Sequence, residues 1–274
     1  MDERSHTHEI EIDASAEEVW NAVTNPSEIR KYFDEVGELE PREGGKFRFS
    51  MADDEVSRIE VWDPPRRFKV ASPPTPAPGG GGTPERAAQS FDYTIESRGG
   101  KSILRMTHSG IPADSSWDPY YDATHNGWGS VFRTMRHIVE EKVGQDVNKF
   151  TVFGGTGLSI EEVWKRAFGK GGIFGEIVDR GEDRFELTTT LGDQWSGKVL
   201  HRRDPGASGH DGGTLTLAVD QLDGALVSVA TEPMMGPKNI AAANLVVFDS
   251  THAGRAEEYR KVLEESFEIQ PLET

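Results

Sequence analysis

Residues 14–24 read ASAEEVWNAVT, and residues 158–168 read LSIEEVWKRAF. The two stretches share the pattern Ser-x-Glu-Glu-Val-Trp, and each follows a short β-type segment, residues 8–12 in the first case and 150–153 in the second. Self-similarity at a fixed distance is the sequence signature of a repeated architecture. The chain is therefore predicted to contain two copies of one domain.

Each copy of the pattern predicts a strand, a tight turn and a capped helix. Ser15 and Ser159 stand where a helix N-cap residue accepts from free backbone N–H groups. Glu18 and Glu162 follow three residues later and can reach back to the cap, which would complete a capping box. The Val-Trp pair after each glutamate then begins the buried face of the helix.

The rest of the first half predicts a second short helix, a run of strands and a long helix. Pro26 stands at the favoured first position of the short helix. The long helix opens at Asp118 and Pro119, carries aromatic residues at helical spacing, and ends before Gly144. Alternation of apolar and polar residues predicts strands at 46–51, 56–62, 67–70, 90–95 and 102–108.

The second half repeats this order, with one difference. Gly169-Lys170-Gly171-Gly172 replaces the second short helix, and residues 255–267 form the closing helix. Strands are predicted at 175–180, 184–191, 194–202, 213–222, 225–232 and 239–249. We therefore predict an α+β fold of two domains, residues 1–145 and 146–274, each a curved antiparallel sheet wrapped around a long C-terminal helix.

Composition narrows the classes of function. The 274 residues carry a net charge of −17, which disfavours nucleic acid and anionic lipid as partners. The absence of cysteine excludes disulfides and thiolate chemistry. No apolar run is long enough to cross a membrane, and the first residues do not resemble a signal peptide, so a cytoplasmic location is expected. Composition leaves the oligomeric state open.

The first half resembles a known family. Its opening, residues 10–20, resembles START-like (SRPBCC) helix-grip domains. Tyr32-Phe33, Gly44 to Phe47, residues 59–68 and His125-Asn126-Gly127-Trp128 resemble the subgroup related to Aha-type chaperone activators (AHSA). Over residues 150–267 the resemblance depends on the Glu-Glu-Val-Trp copy and on the order of elements. Tandem forms of such domains occur among proteins of enediyne biosynthesis and self-resistance loci.

The resemblance implies a ligand cavity between the long helix and the sheet. Our first hypothesis is non-catalytic binding or sequestration of an apolar, elongated polyketide-type small molecule. A polyketide cyclase or aromatase is the second, with His108, His125 and Tyr121 as candidate acid–base groups. A chaperone-activator-like interaction module is the third. In a self-sacrificing resistance protein a cavity glycine would be cleaved, and the sequence does not indicate which one.

The expected ligand-binding residues come from the long helix and from alternate positions of the sheet, together with the residues that flank them. The aromatic and sulfur-bearing side chains of this set suit a flat or extended conjugated ligand. They are Phe47, Phe49, Met51, Phe91, Tyr93, Ile95, His108, Trp117, Tyr121, His125, Trp128 and Phe132.

No cofactor, metal ion or catalytic residue is assigned from the sequence. The segment Gly154-Gly155-Thr156-Gly157 lacks the third glycine of a dinucleotide-binding turn, since Ile160 stands in its place. His6 and His8 could bind a metal ion, but two histidines near a terminus are expected to be solvated. His201, His210 and Asp211 lie in or beside one loop, and no spacing resembles a zinc site. The Pro/Gly-rich segment 73–84 is expected to form an exposed, mobile loop between two strands.

Overall fold

The computed structural model describes residues 2–50, 56–74, 87–207, 211–233 and 238–271. The chain divides into two compact units, residues 1–143 and 144–274. Most of the predicted Pro/Gly loop lies outside the described residues, and so does Met51.

The first unit is a seven-stranded antiparallel sheet with three helices. Its strands are β1 (Glu3–Ile12), β2 (Val36–Leu39), β3 (Lys46–Phe49), β4 (Ser57–Asp63), β5 (Arg67–Ala71), β6 (Ser90–Arg98) and β7 (Lys101–Pro112), in the order β1-β7-β6-β5-β4-β3-β2. Helices α1 (Ala16–Thr24) and α2 (Pro26–Tyr32) follow β1, and α3 (Asp118–Glu141) follows β7.

Packing in the first unit fixes the long helix against the sheet. The C-terminal half of α3 buries Phe132, Met135 and Val139 in one core with Leu104 and Met106 of β7. The apolar positions recur at three- and four-residue intervals, which places them on one face of the helix. The N-terminal half of α3 is thus held over strands β3, β5 and β6.

The second unit has the same order of elements with one helix fewer. Its strands are β8 (Asn148–Thr156), β9 (Val178–Asp179), β10 (Arg184–Thr188), β11 (Gln194–Arg203), β12 (Gly213–Val219), β13 (Ala225–Pro233) and β14 (Asn239–Val247), in the order β8-β14-β13-β12-β11-β10-β9. Helix α4 (Ile160–Phe168) follows β8, and α5 (Ala253–Ser266) follows β14.

The repeated pattern begins equivalent helices in the two units, but the capping differs. Ser15 accepts from the Glu18 backbone N–H while the Glu18 carboxylate accepts from the Ser15 N–H at 2.8 Å, a complete capping box. Ser159 caps α4 in the same way, but the Glu162 carboxylate accepts from Arg166 Nε at 3.1 Å. The predicted second box is therefore only half formed, because an arginine one turn on attracts the glutamate.

The tandem helix-grip prediction is confirmed, with local differences. Strand β2 was not predicted, because a four-residue edge strand containing Gly37 carries almost no alternation. After α4 the chain turns through Gly175, at a φ of +68°, instead of forming a second helix. A Cβ at Gly175 would lie 2.3 Å from the Thr188 carbonyl oxygen, so this turn requires glycine. None of the described helices carries an apolar stretch sufficient to cross a membrane.

Candidate functional site

A cavity of about 350 Å³ lies in the first unit between the sheet, the α1–α2 segment and α3. This volume falls within the range of small-molecule sites. Ten of its seventeen lining residues are aromatic: Tyr32, Phe33, Phe47, Phe49, Phe68, Phe91, Tyr93, Tyr120, Trp128 and Phe132. The remaining seven are Val23, Ile29, Val70, His108, Thr124, Gly127 and Val131.

Alternate residues of β3, β5 and β6, together with His108 of β7, form the sheet wall of the cavity. Side chains two residues apart on a strand share a face, which brings Phe47 and Phe49 of β3 together, with ring centroids 4.9 Å apart. On β5 and β6 the register pairs Phe68 with Tyr93, and their rings stack with centroids 5.8 Å apart. The aromatic rings therefore form a continuous apolar surface that is fixed by strand pairing.

The helix wall of the cavity comes from the N-terminal half of α3. Tyr120, Thr124, Trp128 and Val131 follow one another at intervals of four and three residues and face the sheet. The Trp128 ring stacks on Phe33 at 5.3 Å between centroids and meets Phe91 at 5.6 Å. At Gly127 a Cβ would meet no atom within 4 Å, so the missing side chain contributes directly to the open volume.

A hydrogen-bonded group of three side chains forms the polar end of the cavity. His108 of β7 is fully buried, and its Nε2 lies 2.5 Å from the Gln89 Oε1. The Tyr120 hydroxyl donates to the same oxygen at 2.7 Å, and the His108 ring stacks on Phe91. Because an amide oxygen only accepts, His108 donates from Nε2, and its buried Nδ1 has no partner among the described residues.

Burial and nearby histidines determine the protonation of this polar end. Burial lowers the pKa of His108 to about 3, with further lowering by the charges of His6 and His8. The ring is thus neutral at pH 7. Burial also raises the pKa of Tyr93, whose hydroxyl has no hydrogen-bond partner among the described residues.

Seven of the twelve residues expected at the site line the cavity: Phe47, Phe49, Phe91, Tyr93, His108, Trp128 and Phe132. Four others lie elsewhere. Ile95 belongs to the core beneath α1, and Trp117 is fully buried against Tyr120. Tyr121 and His125 turn toward β1, where both rings pack against His6.

The cavity residues that sequence reasoning missed come from three places: the α3 positions Tyr120, Thr124, Gly127 and Val131, the α1–α2 segment, and Phe68 and Val70 of β5. Tyr120 and Thr124 are each one position before an expected residue on α3, a rotation of about 100° around the helix. The α1–α2 residues form the second group, and the sequence signal for them was the apolar spacing around Tyr32-Phe33. That group is Val23, Ile29, Tyr32 and Phe33.

In the second unit, large side chains fill the space between the closing helix and the sheet. Phe174, Trp195 and Tyr259 are almost fully buried, with ring centroids 4.8–5.8 Å apart. The Tyr259 hydroxyl donates to Asp193 at 2.5 Å and lies 2.7 Å from the Thr189 hydroxyl oxygen. The two copies of the fold thus differ in their interior: the first has an aromatic cavity where the second has a packed aromatic core.

Comparison with known proteins agrees with the resemblance of the first unit to the AHSA subgroup. Residues 13–140 match the family model described as "Activator of Hsp90 ATPase homolog 1-like protein". No curated protein matches the chain.

Three solved structures are similar at low identity. CalU16 from Micromonospora echinospora is 21% identical over 51% of this chain and 78% of its own, with a TM-score of 0.41. DynU16, from the dynemicin biosynthetic locus, is 13% identical over 96% of this chain and 95% of its own, with a TM-score of 0.41. The di-domain ARO/CYC protein BexL, from the BE-7585A biosynthetic pathway, is 13% identical over 98% of this chain and 100% of its own, with a TM-score of 0.41.

Proposed function

We propose that the N-terminal unit, an AHSA-type helix-grip domain, binds and sequesters an apolar, elongated small molecule of the polyketide type without transforming it. The observation that carries this proposal is the cavity of about 350 Å³ with its ten aromatic side chains. Flat or conjugated molecules gain most from such walls, because aromatic rings add stacking energy to simple apolar burial.

Burial of the ligand supplies the affinity. Each 100 Å² of apolar ligand surface removed from water contributes about 2.5 kcal/mol, before the costs of association are subtracted. Those costs are low where the cavity walls are preorganised. Here the strand pairing of Phe68 with Tyr93 and the stacking of Phe33 on Trp128 hold the walls in place. The cavity therefore favours a rigid ligand that matches its shape.

The Tyr93 hydroxyl is the polar group best placed to orient the ligand inside this apolar space. The Tyr93 hydroxyl has no partner among the described residues and can donate to a ligand carbonyl or accept from a hydroxyl. The His108 Nδ1 is also without a partner in the described part of the chain, but it is fully buried and so is closed off from the ligand. A ligand with an oxygen substituent on a conjugated skeleton satisfies this requirement.

Binding is a better account of this cavity than acid–base catalysis. A general base works best with a pKa near the pH of the reaction, whereas the pKa of His108 is lowered to about 3. Tyr121 and His125, the other acid–base candidates, lie toward β1 rather than on the cavity wall. The cyclase alternative would need a stronger base than the cavity offers.

The family match favours one further candidate, an interaction with a chaperone ATPase of the Hsp90 kind. Docking through an apolar patch requires exposed apolar side chains. In the described part of the first unit, Val143 alone among the large apolar side chains is exposed. Measuring the ATPase rate of an Hsp90 chaperone with and without the full chain tests this candidate; unchanged rates leave ligand binding as the function.

Titration with a conjugated polyene, followed by tryptophan fluorescence, tests the binding proposal. We expect saturable quenching that weakens in Trp128→Phe, and a loss of affinity of about tenfold or more in Tyr93→Ala. Trp164→Phe, in the second unit, is the matched control and should leave the titration unchanged. Equal affinity and equal quenching in wild type, Trp128→Phe and Tyr93→Ala would place the site elsewhere.

A further inference from the structure

Three histidines of the first unit meet on the side of β1 that faces α3. His6 and His8 are two residues apart on β1 and so share a face of the sheet, and His125 lies on α3 above them. The three ring centroids are 5.0–5.2 Å apart. One ring nitrogen from each residue lies within 4.8 Å of the other two.

Hydrogen bonding fixes which nitrogen of His6 is free. The Thr124 hydroxyl donates to the main-chain carbonyls of Tyr120 and Tyr121, at 2.9 and 3.1 Å. Its oxygen therefore accepts from His6 Nε2, 3.2 Å away, which places the proton of the neutral ring on Nε2. The lone pair is then on Nδ1, which is buried and has no partner among the described residues.

The other two histidines add a second buried nitrogen and an exposed one. His8 Nε2 is buried and also lacks a hydrogen-bond partner in the described part of the chain. His125 is exposed, so it can rotate and gives access from solvent.

We propose that His6, His8 and His125 bind a divalent first-row transition metal ion, with Zn²⁺ as the reference case. Three imidazole ligands with a remaining open position are a recurring zinc arrangement. In a tetrahedral site the ligand nitrogens are about 3.3 Å apart, as follows from zinc–nitrogen bonds of about 2.0 Å. Closing the present spacing to this value requires side-chain movement of the three histidines, and the exposed His125 has the most freedom to move.

The donor set selects the kind of metal. The group contains no carboxylate, and Ca²⁺ and Mg²⁺ require oxygen ligands, whereas imidazole suits zinc, copper, nickel and cobalt. Arg133 carries a positive charge close to His8 and opposes any cation there. Binding therefore depends on coordination bonds rather than on electrostatic attraction.

Thr124 acts as a positioning residue for this site. Metal-bound histidines commonly donate their second N–H to a nearby acceptor, which orients the ring, and loss of that acceptor typically weakens binding by about 10–100-fold. Thr124 is that acceptor for His6. Thr124→Val should weaken zinc binding by about tenfold, and Thr124→Ser, which keeps the hydroxyl, should restore it.

Calorimetric titration of the metal-free full chain with ZnCl₂ tests the site. We expect one tight equivalent per chain, unaffected by excess Mg²⁺, and a loss of affinity of about a hundredfold in His125→Ala and in His8→Ala. Because His125 is exposed, its substitution should leave the fold intact, which the thermal midpoint without metal checks. His252→Ala, a histidine of the second unit paired with Asp223, is the control. Wild-type affinity in both His125→Ala and His8→Ala, or a loss confined to His252→Ala, would overturn the proposal.

Discussion

Trp20 and Trp164 stand at the same position of equivalent helices, each five residues after the serine that caps the helix. Their neighbours differ: the Trp20 ring meets Trp62 of β4 at 5.1 Å, whereas the Trp164 ring meets Phe168 of its own helix at 5.1 Å. The two units therefore share a backbone plan that is packed in two ways.

Gly127 offers a direct way to fill the cavity. Its absent side chain borders open space within helix α3, so Gly127→Leu should occupy part of the volume and abolish polyene binding. Gly127→Ala should raise the free energy of unfolding by up to about 1 kcal/mol through helix propensity.

Gly129→Ala is the matched control for this series, because its Cβ would meet only the flexible end of Arg133. It should give a similar gain in stability and leave ligand affinity unchanged. The measurements are denaturant unfolding and fluorescence titration. Undiminished binding by Gly127→Leu would contradict the assigned cavity.

Acid should destabilise the first unit through its buried histidines. The pKa of His108 is lowered to about 3 and that of His6 to about 4, against 6.5 in an unfolded chain. Their stabilisation is complete above pH 6.5, where both states are unprotonated, and is lost as the pH falls toward 4. The slope is at most about 1.4 kcal/mol per pH unit for each histidine.

Denaturant unfolding at several pH values measures this slope. His108→Phe keeps an aromatic ring against Phe91 and removes one titrating group, so its slope should be smaller. A slope equal to that of the wild type would show that His108 is already charged in the folded state.

The two N-cap serines should contribute similarly to the free energy of unfolding, whereas Glu18 and Glu162 should contribute unequally. Ser15→Ala and Ser159→Ala should each lower the free energy of unfolding by about 1 kcal/mol. Glu18→Gln loses a charged acceptor for the Ser15 N–H, whereas Glu162→Gln loses only a partly exposed pair with Arg166. Thermal denaturation should therefore show a larger shift for Glu18→Gln, and equal shifts would refute the asymmetry.

The packed core of the second unit should tolerate truncation poorly. Phe174 is fully buried between Phe168 and Tyr259, so Phe174→Ala should lower stability by about 3–5 kcal/mol. Phe153, which is 51% exposed, is the control, and Phe153→Ala should change stability by less than about 0.5 kcal/mol. Chemical denaturation compares the two. A small loss for Phe174→Ala would mean that the core can collapse around the gap.

The sequence predicted the fold well because capping and periodicity are local signals. Ser15, Ser159 and the alternating strands identified both copies, and the long helix begins at Asp118 as expected. The residues that line the cavity were harder to predict, because they depend on how α3 is rotated about its own axis. Tyr121 and His125 carry rings, as Tyr120 and Trp128 do. They nevertheless lie about 100° around the helix from Tyr120 and Thr124.

The histidine group could not be predicted from spacing in the sequence. His6 and His8 are separated from His125 by more than a hundred residues, and only the packing of α3 on β1 brings them together. The role of Thr124 is likewise a matter of hydrogen-bond direction, which sequence patterns do not encode.

The unequal interiors of the two units also bear on the lifetime of the protein. A cavity lined by Phe47, Phe49 and Phe68 forgoes the dispersion contacts that Phe174, Trp195 and Tyr259 make in the second unit. Under the proposed function, a ligand shifts the opening equilibrium of the first unit, by an amount that grows with ligand concentration above Kd. Proteases act on opened states, so the unloaded chain would be degraded sooner than the loaded one. If the first unit binds its ligand as proposed, the supply of that small molecule would influence the abundance of the protein.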